Sequence, residues 1–337
     1  MRAVAAPGVR PPFRRLWTFH GRHLLEFPPA VGYDSIFEEV FDGRLYSIDA
    51  ASGKVRWRYD SHLCGWSSPA LGHHLLFATF IGDSECHAPS GGGELVAFSA
   101  ATGRVRWRRT VGPSESSPLV AGGTVYVGSQ DDRVYAFAAR TGRLRWSFDT
   151  GAPIKASASL AYGRIYIGNY EGQFFALDAQ TGRLDWRSVG YGNFYSTAAV
   201  TAGRVYVGSV DGHVYALSAR SGYRLWSFGT GGYVYASPAV WHGLVLVGSY
   251  DHDFYAITAG TGSLRWSFRA GAPISGAASV VDGFVYFSNF EHLTYALAAS
   301  SGRLREEWSD GEYSPAVAAN GRLYLVGLGR LYALAPR

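Results

Sequence analysis

The sequence predicts an all-β fold, an eight-bladed β-propeller of four-stranded antiparallel blades closed by an N-terminal strand that joins the last blade. Three observations lead there. A tryptophan recurs behind a Thr-Gly or Ser-Gly turn at Trp57, Trp107, Trp146, Trp186, Trp226 and Trp266, and four of the five intervals are 39 or 40 residues. Between these turns lie short alternating apolar runs bounded by glycines, which number 43 among 337 residues and supply the positive φ of tight hairpins. The chain stops at Arg337, where another turn and tryptophan strand are due, while a solitary tryptophan, Trp17, stands near its start.

The first element is the strand around Trp17, 40 residues before Trp57 and without a turn of its own. Residues 1–16 therefore read as an N-terminal extension, and 17–337 as one propeller domain. The second unit is stretched to 50 residues, from Trp57 to Trp107, and the surplus falls between Gly82 and Glu94 as one loop insertion. The unit from Ser157 to Trp186 shows the pattern best. Ser157 to Ala161 is small and apolar, Tyr162-Gly163 turns, and Arg164 to Gly168 alternates. Asn169 to Gly172 turns again, Gln173 to Asp178 leads into Thr181-Gly182, and Leu184 to Arg187 is the fourth strand. A four-stranded sheet cannot bury both faces alone, so such units stack, and radial stacking makes a propeller. In the seventh unit Glu306 replaces the tryptophan, with Trp308 two residues on and hence on the same strand face. Inner strands start near residues 29, 69, 118, 158, 198, 238, 278 and 315. That count gives eight blades, with seven as the rival, and Trp17 supplies the strand the last blade lacks.

Composition narrows the function. Aromatic residues make up 15% and charged residues 17%, which describes a packed protein and excludes a disordered one. The net charge of +5 comes almost wholly from arginine, since Lys54 and Lys155 are the only lysines. Arginines beside the tryptophan turns recur over all blades and read as guards of the outer edges, so no nucleic-acid partner is expected. No apolar run reaches 18 residues, so no transmembrane helix is expected. Residues 1–15 hold no apolar stretch of a secretion signal; the expectation is export if a signal precedes this sequence, and a cytoplasmic location otherwise. Cys64 and Cys86 fall in connections that share one rim, so a disulfide and two free thiols are both open, and a bridge implies an oxidising compartment.

The repeat Ala-x-Asp-Ala-x-Thr-Gly-x-x-x-Trp, seen at Ala176 to Trp186 (ALDAQTGRLDW), resembles that of the pyrroloquinoline quinone (PQQ)-like propeller family, in which quinoprotein dehydrogenases and BamB-like scaffolds share one unit. Related copies end at Trp57, Trp107, Trp146, Trp226 and Trp266. The resemblance implies the eight-bladed fold over nearly the whole chain. For the dehydrogenases it also implies a quinone sandwiched between a tryptophan and a ring of two adjacent disulfide-bonded cysteines, with calcium beside a catalytic aspartate. Cys64 and Cys86 are not adjacent. The expected function is a non-catalytic binding scaffold, monomeric, with no catalytic residue, metal or cofactor, holding a protein segment or small ligand at the channel rim. The alternatives are a PQQ-dependent dehydrogenase with calcium, using a funnel around Trp66, Glu115 and Lys155, and a ligand-sensing propeller of a signalling system.

Aligning the inner strands places Trp66, Glu115, Lys155, Tyr195, Tyr235, Ser275 and Glu312 at one ring position, with Asn193, Tyr233 and Tyr313 beside it. Such variation at one position of regular units marks it as released from packing and open to binding. Lys155 and Glu115 read either as an ion pair across blades or as ligand contacts. A second ring, Asp42, Asp131, Glu171, Asp211, Asp251 and Glu291, occupies hairpin turns on different blades and reads as turn chemistry, not a cation site. His252 and His292 are one blade apart, and no zinc spacing is present. No nucleophile elbow or phosphate loop occurs. The tryptophans, Trp17 included, read as packing between blades.

Overall fold

A computed structural model describes residues 6–82, 86, 92–311 and 316–337. Eight antiparallel sheets follow in chain order: blade 1 (30–60), blade 2 (70–111), blade 3 (119–149), blade 4 (159–188), blade 5 (199–229), blade 6 (239–269), blade 7 (279–309) and blade 8 (317–336). Blade 8 takes its outer strand, Phe13–His20, from the N-terminus. Phe13 pairs with Pro336 and Trp17 with Ala333, so both chain ends share one sheet. That strand begins ahead of the expected boundary at Trp17. Val9 and Phe13 are buried against Tyr286, Leu323 and Leu334, which makes the extension part of the ring. No helix among the described residues is long and apolar enough to cross a membrane.

Eight separate apolar clusters fill the eight spaces between neighbouring blades, from Phe37 against Leu76 between blades 1 and 2 round to Ile36 against Tyr324 between blades 8 and 1. Alternation explains this, because successive side chains of a strand leave on opposite faces and each blade feeds two interfaces.

The recurrent tryptophan and the recurrent glycine meet across blades. Trp146 of blade 4's neighbour lies on Gly182 of blade 4, whose φ is +74° and where a Cβ would stand 2.6 Å from the indole. Its Nε1–H donates to the Ala179 carbonyl at 3.1 Å. The same bond runs from Trp57 to Ala100, Trp107 to Ala139, Trp186 to Ala219, Trp226 to Ala259 and Trp266 to Ala299. Trp17 makes it to Ala50 at 3.2 Å across the closure. Glu306 is the exception with a reason: no covalent turn joins Pro336 to Phe13, so the surface a tryptophan would cover is missing. The Glu306 carboxylate accepts the Phe13 amide instead, while Trp308 packs on Phe13 and Tyr286.

Blade 2 carries the insertion. Cys64–Gly65 adds a short fifth strand against Phe80 and Ile81, and Cys64 is bonded to Cys86 with their Cα atoms 5.6 Å apart. In blade 1 the strand Ser35–Glu39 departs from its siblings. Blades 3 to 6 have Gly128, Gly168, Gly208 and Gly248 at one position, each pressed by Ile154, Phe194, Val234 or Ile274 of the following connection. Blade 1 reverses the sizes, with Glu39 on the strand and Gly65 opposite. Glu38 and Glu39 are both buried, and among the described residues no hydrogen bond of full geometry reaches either carboxyl, although the Ser67 amide lies near Glu39. Burial lifts both well above the ordinary 4.5, and for Glu39 the neighbouring Glu38 adds to it against a smaller pull from the Ser67 amide.

Candidate functional site

The connections that enter the inner strands converge on one rim. There the ring residues Trp66, Glu115, Lys155, Tyr195, Tyr235 and Ser275 line a single cavity of about 560 Å³. Glu312 and Tyr313 lie outside the described residues. Asn193 does not line the cavity; its carbonyl accepts the Val210 amide. Tyr233 stands at the exposed edge, 6.0 Å from the Tyr235 ring and 6.2 Å from that of Tyr250.

Sequence alignment of the units left several lining residues unnoticed. Phe27 and Pro28 come from the first connection and Tyr250 from a hairpin of blade 6. A belt of hydroxyls sits beneath the ring. The Ser68 amide donates to Ser117 Oγ at 3.0 Å, the Ser117 amide to Ser157 Oγ at 2.9 Å, and the Thr197 amide to Ser237 Oγ at 2.9 Å. The signal was present, since Ser or Thr precedes the aligned Pro or Ala at 68, 117, 157, 197 and 237. Each bond ties neighbouring inner strands and leaves the hydroxyl proton to donate.

Glu115 is the electrostatic centre. Its carboxylate accepts from Gln130 Nε2 at 3.0 Å and from the Tyr195 hydroxyl, and pairs with Lys155 Nζ at 3.0 Å. Three connections, from blades 2, 3 and 4, are joined by that one group. The Lys155 ammonium also lies 5.1 Å from the Tyr170 ring and 5.6 Å from the Tyr195 ring, within range of cation–π attraction. Burial first, then Glu115, pushes the Tyr195 phenol far above its ordinary value, so Tyr195 is a fixed donor and no base. Tyr170 is pushed up to about 12, chiefly by burial. Edge-to-face contacts continue the wall from Tyr170 to Tyr195 and from Tyr195 to Tyr235, whose ring is 4.9 Å from Tyr250. Trp66, packed 5.5 Å from Phe41, faces them from blade 2. Flat apolar surfaces, a neutralised ion pair and hydroxyl donors suit recognition of a bound group.

The acidic ring is turn chemistry. Asp131 accepts the Gly112 amide, the Arg133 amide and the Tyr135 hydroxyl; Asp211 does the same with Gly192, His213 and Tyr215, and Asp251 with Gly231, Asp253 and Tyr255. At blades 4 and 7 the amides of Glu171 and Glu291 bond to Asn169 and Asn289. Among the described residues no three His, Cys, Asp or Glu side chains gather as a metal site would need.

A family model described as outer membrane protein assembly factor BamB matches residues 41–162 and 151–337. The chain belongs to this BamB-like propeller family. Among solved structures, BamB from Moraxella catarrhalis is similar over 96% of this chain and 100% of its own, with a TM-score of 0.81 at 16% identity. A computationally designed protein, Ika8, is similar over 95% and 99%, with a TM-score of 0.80 at 14% identity. Quinohemoprotein alcohol dehydrogenase from Comamonas testosteroni matches 96% of this chain and 76% of its own, at 0.77 and 13%. No curated protein matches the chain. At such identities the structural likeness shows the fold, which BamB, a designed protein and an alcohol dehydrogenase all have, and the BamB-like family match supports a binding scaffold.

Proposed function

We propose that this BamB-like propeller is a non-catalytic binding protein whose central funnel captures an extended segment of a protein partner. The observation that carries the proposal is the convergence of six side chains of five kinds from successive connections on one cavity of about 560 Å³, at the ring position where regular blades vary. Aromatic walls give contact area at low entropic cost, and the hydroxyl belt with Lys155 gives donors for backbone carbonyls. A small ligand with the same shape and acceptors is the alternative occupant. The Cys64–Cys86 bridge supports an oxidising, extracytoplasmic setting.

The residues fit a quinone with calcium poorly. The bridged cysteines are 22 positions apart, in the insertion, and form no vicinal ring to cover a planar cofactor. Glu115 is already engaged by Lys155, Tyr195 and Gln130. The test is a peptide-array screen followed by calorimetry on the wild type and on Trp66→Ala and Tyr235→Ala. Hits should weaken at least about tenfold in both variants. Peptide binding indifferent to both substitutions overturns the funnel as the site. Retention of added PQQ with calcium, with dye reduction on an alcohol, overturns the non-catalytic reading.

A further inference from the structure

The opposite rim, built from the hairpins between first and second strands and the turns between third and fourth, holds a second concavity. It measures about 520 Å³ and is lined by Tyr33, His73, His74, Ser99, Arg106 and Arg140 among others, none of them a carboxylate. Tyr33 stacks on His74 with ring centroids 5.0 Å apart, and its hydroxyl accepts the His74 amide, so one wall is firm.

Most arginines just before the tryptophan position lack the carboxylate that neutralises the first, Arg56: Thr258 and Ala298 stand opposite Arg265 and Arg305 as well, so what sets Arg106 apart is the concavity it lines with Arg140. In blade 1, Arg56 beside the tryptophan turn is paired with Asp49 at 2.6 Å. The equivalent of Arg56 in blade 2 is Arg106, and the equivalent of Asp49 is Ser99; in blade 3 they are Arg145 and Ala138. The neutralising carboxylate has gone while the guanidinium stays. Arg104, Arg140 and Arg143 add further exposed charge on the same two turns. Arg109 folds back on the Gly142 and Thr141 carbonyls, Arg145 on that of Gly123, and Arg108 faces Glu94 at 3.5 Å. Arg106 and Arg140 have no carboxylate within salt-bridge reach among the described residues. Blades 4 and 1 are balanced by contrast, since Asp185 pairs with Arg164 and Arg183.

We propose that this cleft between blades 1, 2 and 3 is a docking site for an acidic segment of a partner protein, with Arg106 and Arg140 holding carboxylates. Two exposed guanidiniums beside a concavity match discrete side-chain carboxylates, which each fork can take bidentately. A concave site also fits a peptide better than it fits a flat anionic membrane. The site is remote from the funnel and independent of what the funnel binds.

The experiment uses the whole protein and a fluorescein-labelled hexaglutamate peptide, read by anisotropy at low ionic strength. Arg106→Ala with Arg140→Ala should weaken binding at least about tenfold, whereas Arg265→Ala with Arg305→Ala, which removes the same charge from blades 6 and 7, should leave it within about twofold. Circular dichroism checks that each variant is folded. Equal loss in both double variants overturns the proposal, because net charge alone then explains binding. So does a wild-type protein that ignores the peptide, or that binds phosphatidylglycerol vesicles or a single-stranded oligonucleotide more tightly through the same two arginines.

Discussion

At the scale of single residues, this ring stores its conflicts in blade 1. Glu38 and Glu39 sit on opposite faces of one strand, buried and with no side-chain partner among the described residues, where blade 4 has Ile167 and Gly168. A carboxyl without a partner is tolerable in such a place only when neutral, and burial holds both protons on. Both folded values exceed the unfolded value near 4.5. Above that pH the unfolded chain binds fewer protons than the native one, so stability from these groups is complete below about 4.5 and declines as pH rises, until they ionise in the fold. The slope is about 1.4 kcal/mol per pH unit for each carboxyl. Glu38→Gln with Glu39→Gln should therefore flatten stability between pH 5 and 8 and raise it at pH 8. Urea midpoints across that range check this, and an unchanged slope overturns it.

At the scale of the element, the unit of stabilisation is not the blade but the contact of one blade's tryptophan with the next blade's turn. Gly182 must be glycine for two reasons at once, a left-handed φ of +74° and an indole 2.6 Å from any Cβ. Gly163 has a similar φ of +73° but open space around it. Gly182→Ala should cost about 2 to 4 kcal/mol, from backbone strain of about 1 to 2 plus overpacking of about 1 to 3. Gly163→Ala should cost about 1 to 2 kcal/mol, the backbone part alone. Equal losses in a urea melt would show that the indole adds nothing at the turn.

At the scale of the whole molecule, the strand Phe13–His20 makes the ring circular. It completes blade 8, and Trp17 lies on Gly53 of blade 1 as Trp57, Trp107, Trp146, Trp186, Trp226 and Trp266 each lie on the turn glycine of the next blade. Trp17→Ala should then cost what Trp146→Ala costs, about 3 to 5 kcal/mol, although Trp146 lies far from either chain end. A much smaller loss at Trp17, measured by the same denaturation, would mean that the closure adds no cooperativity. Closing the ring also fixes the funnel, since Glu115, Lys155 and Tyr195 meet only when three successive blades keep their angular spacing.

The repeat, the blade count and the terminal closure were readable from the chain, because each follows from a fixed period and from residues that packing repeats, and six of the seven ring residues named from that period line one cavity. Trp66, Lys155 and Tyr235 were legible as deviations from that period. What remained hidden was non-periodic or lay between units. The Glu39–Gly65 exchange, the three donors on Glu115, Tyr250 in the funnel wall and the concavity beside Arg106 depend on which blades are neighbours and how their connections cross. Sequence period determined the ring, for hydrophobic alternation leaves a four-stranded unit no other way to bury both faces. Tertiary structure decided the sites, for a side chain's partners there come from other blades, at distances set by the circle and not by the repeat.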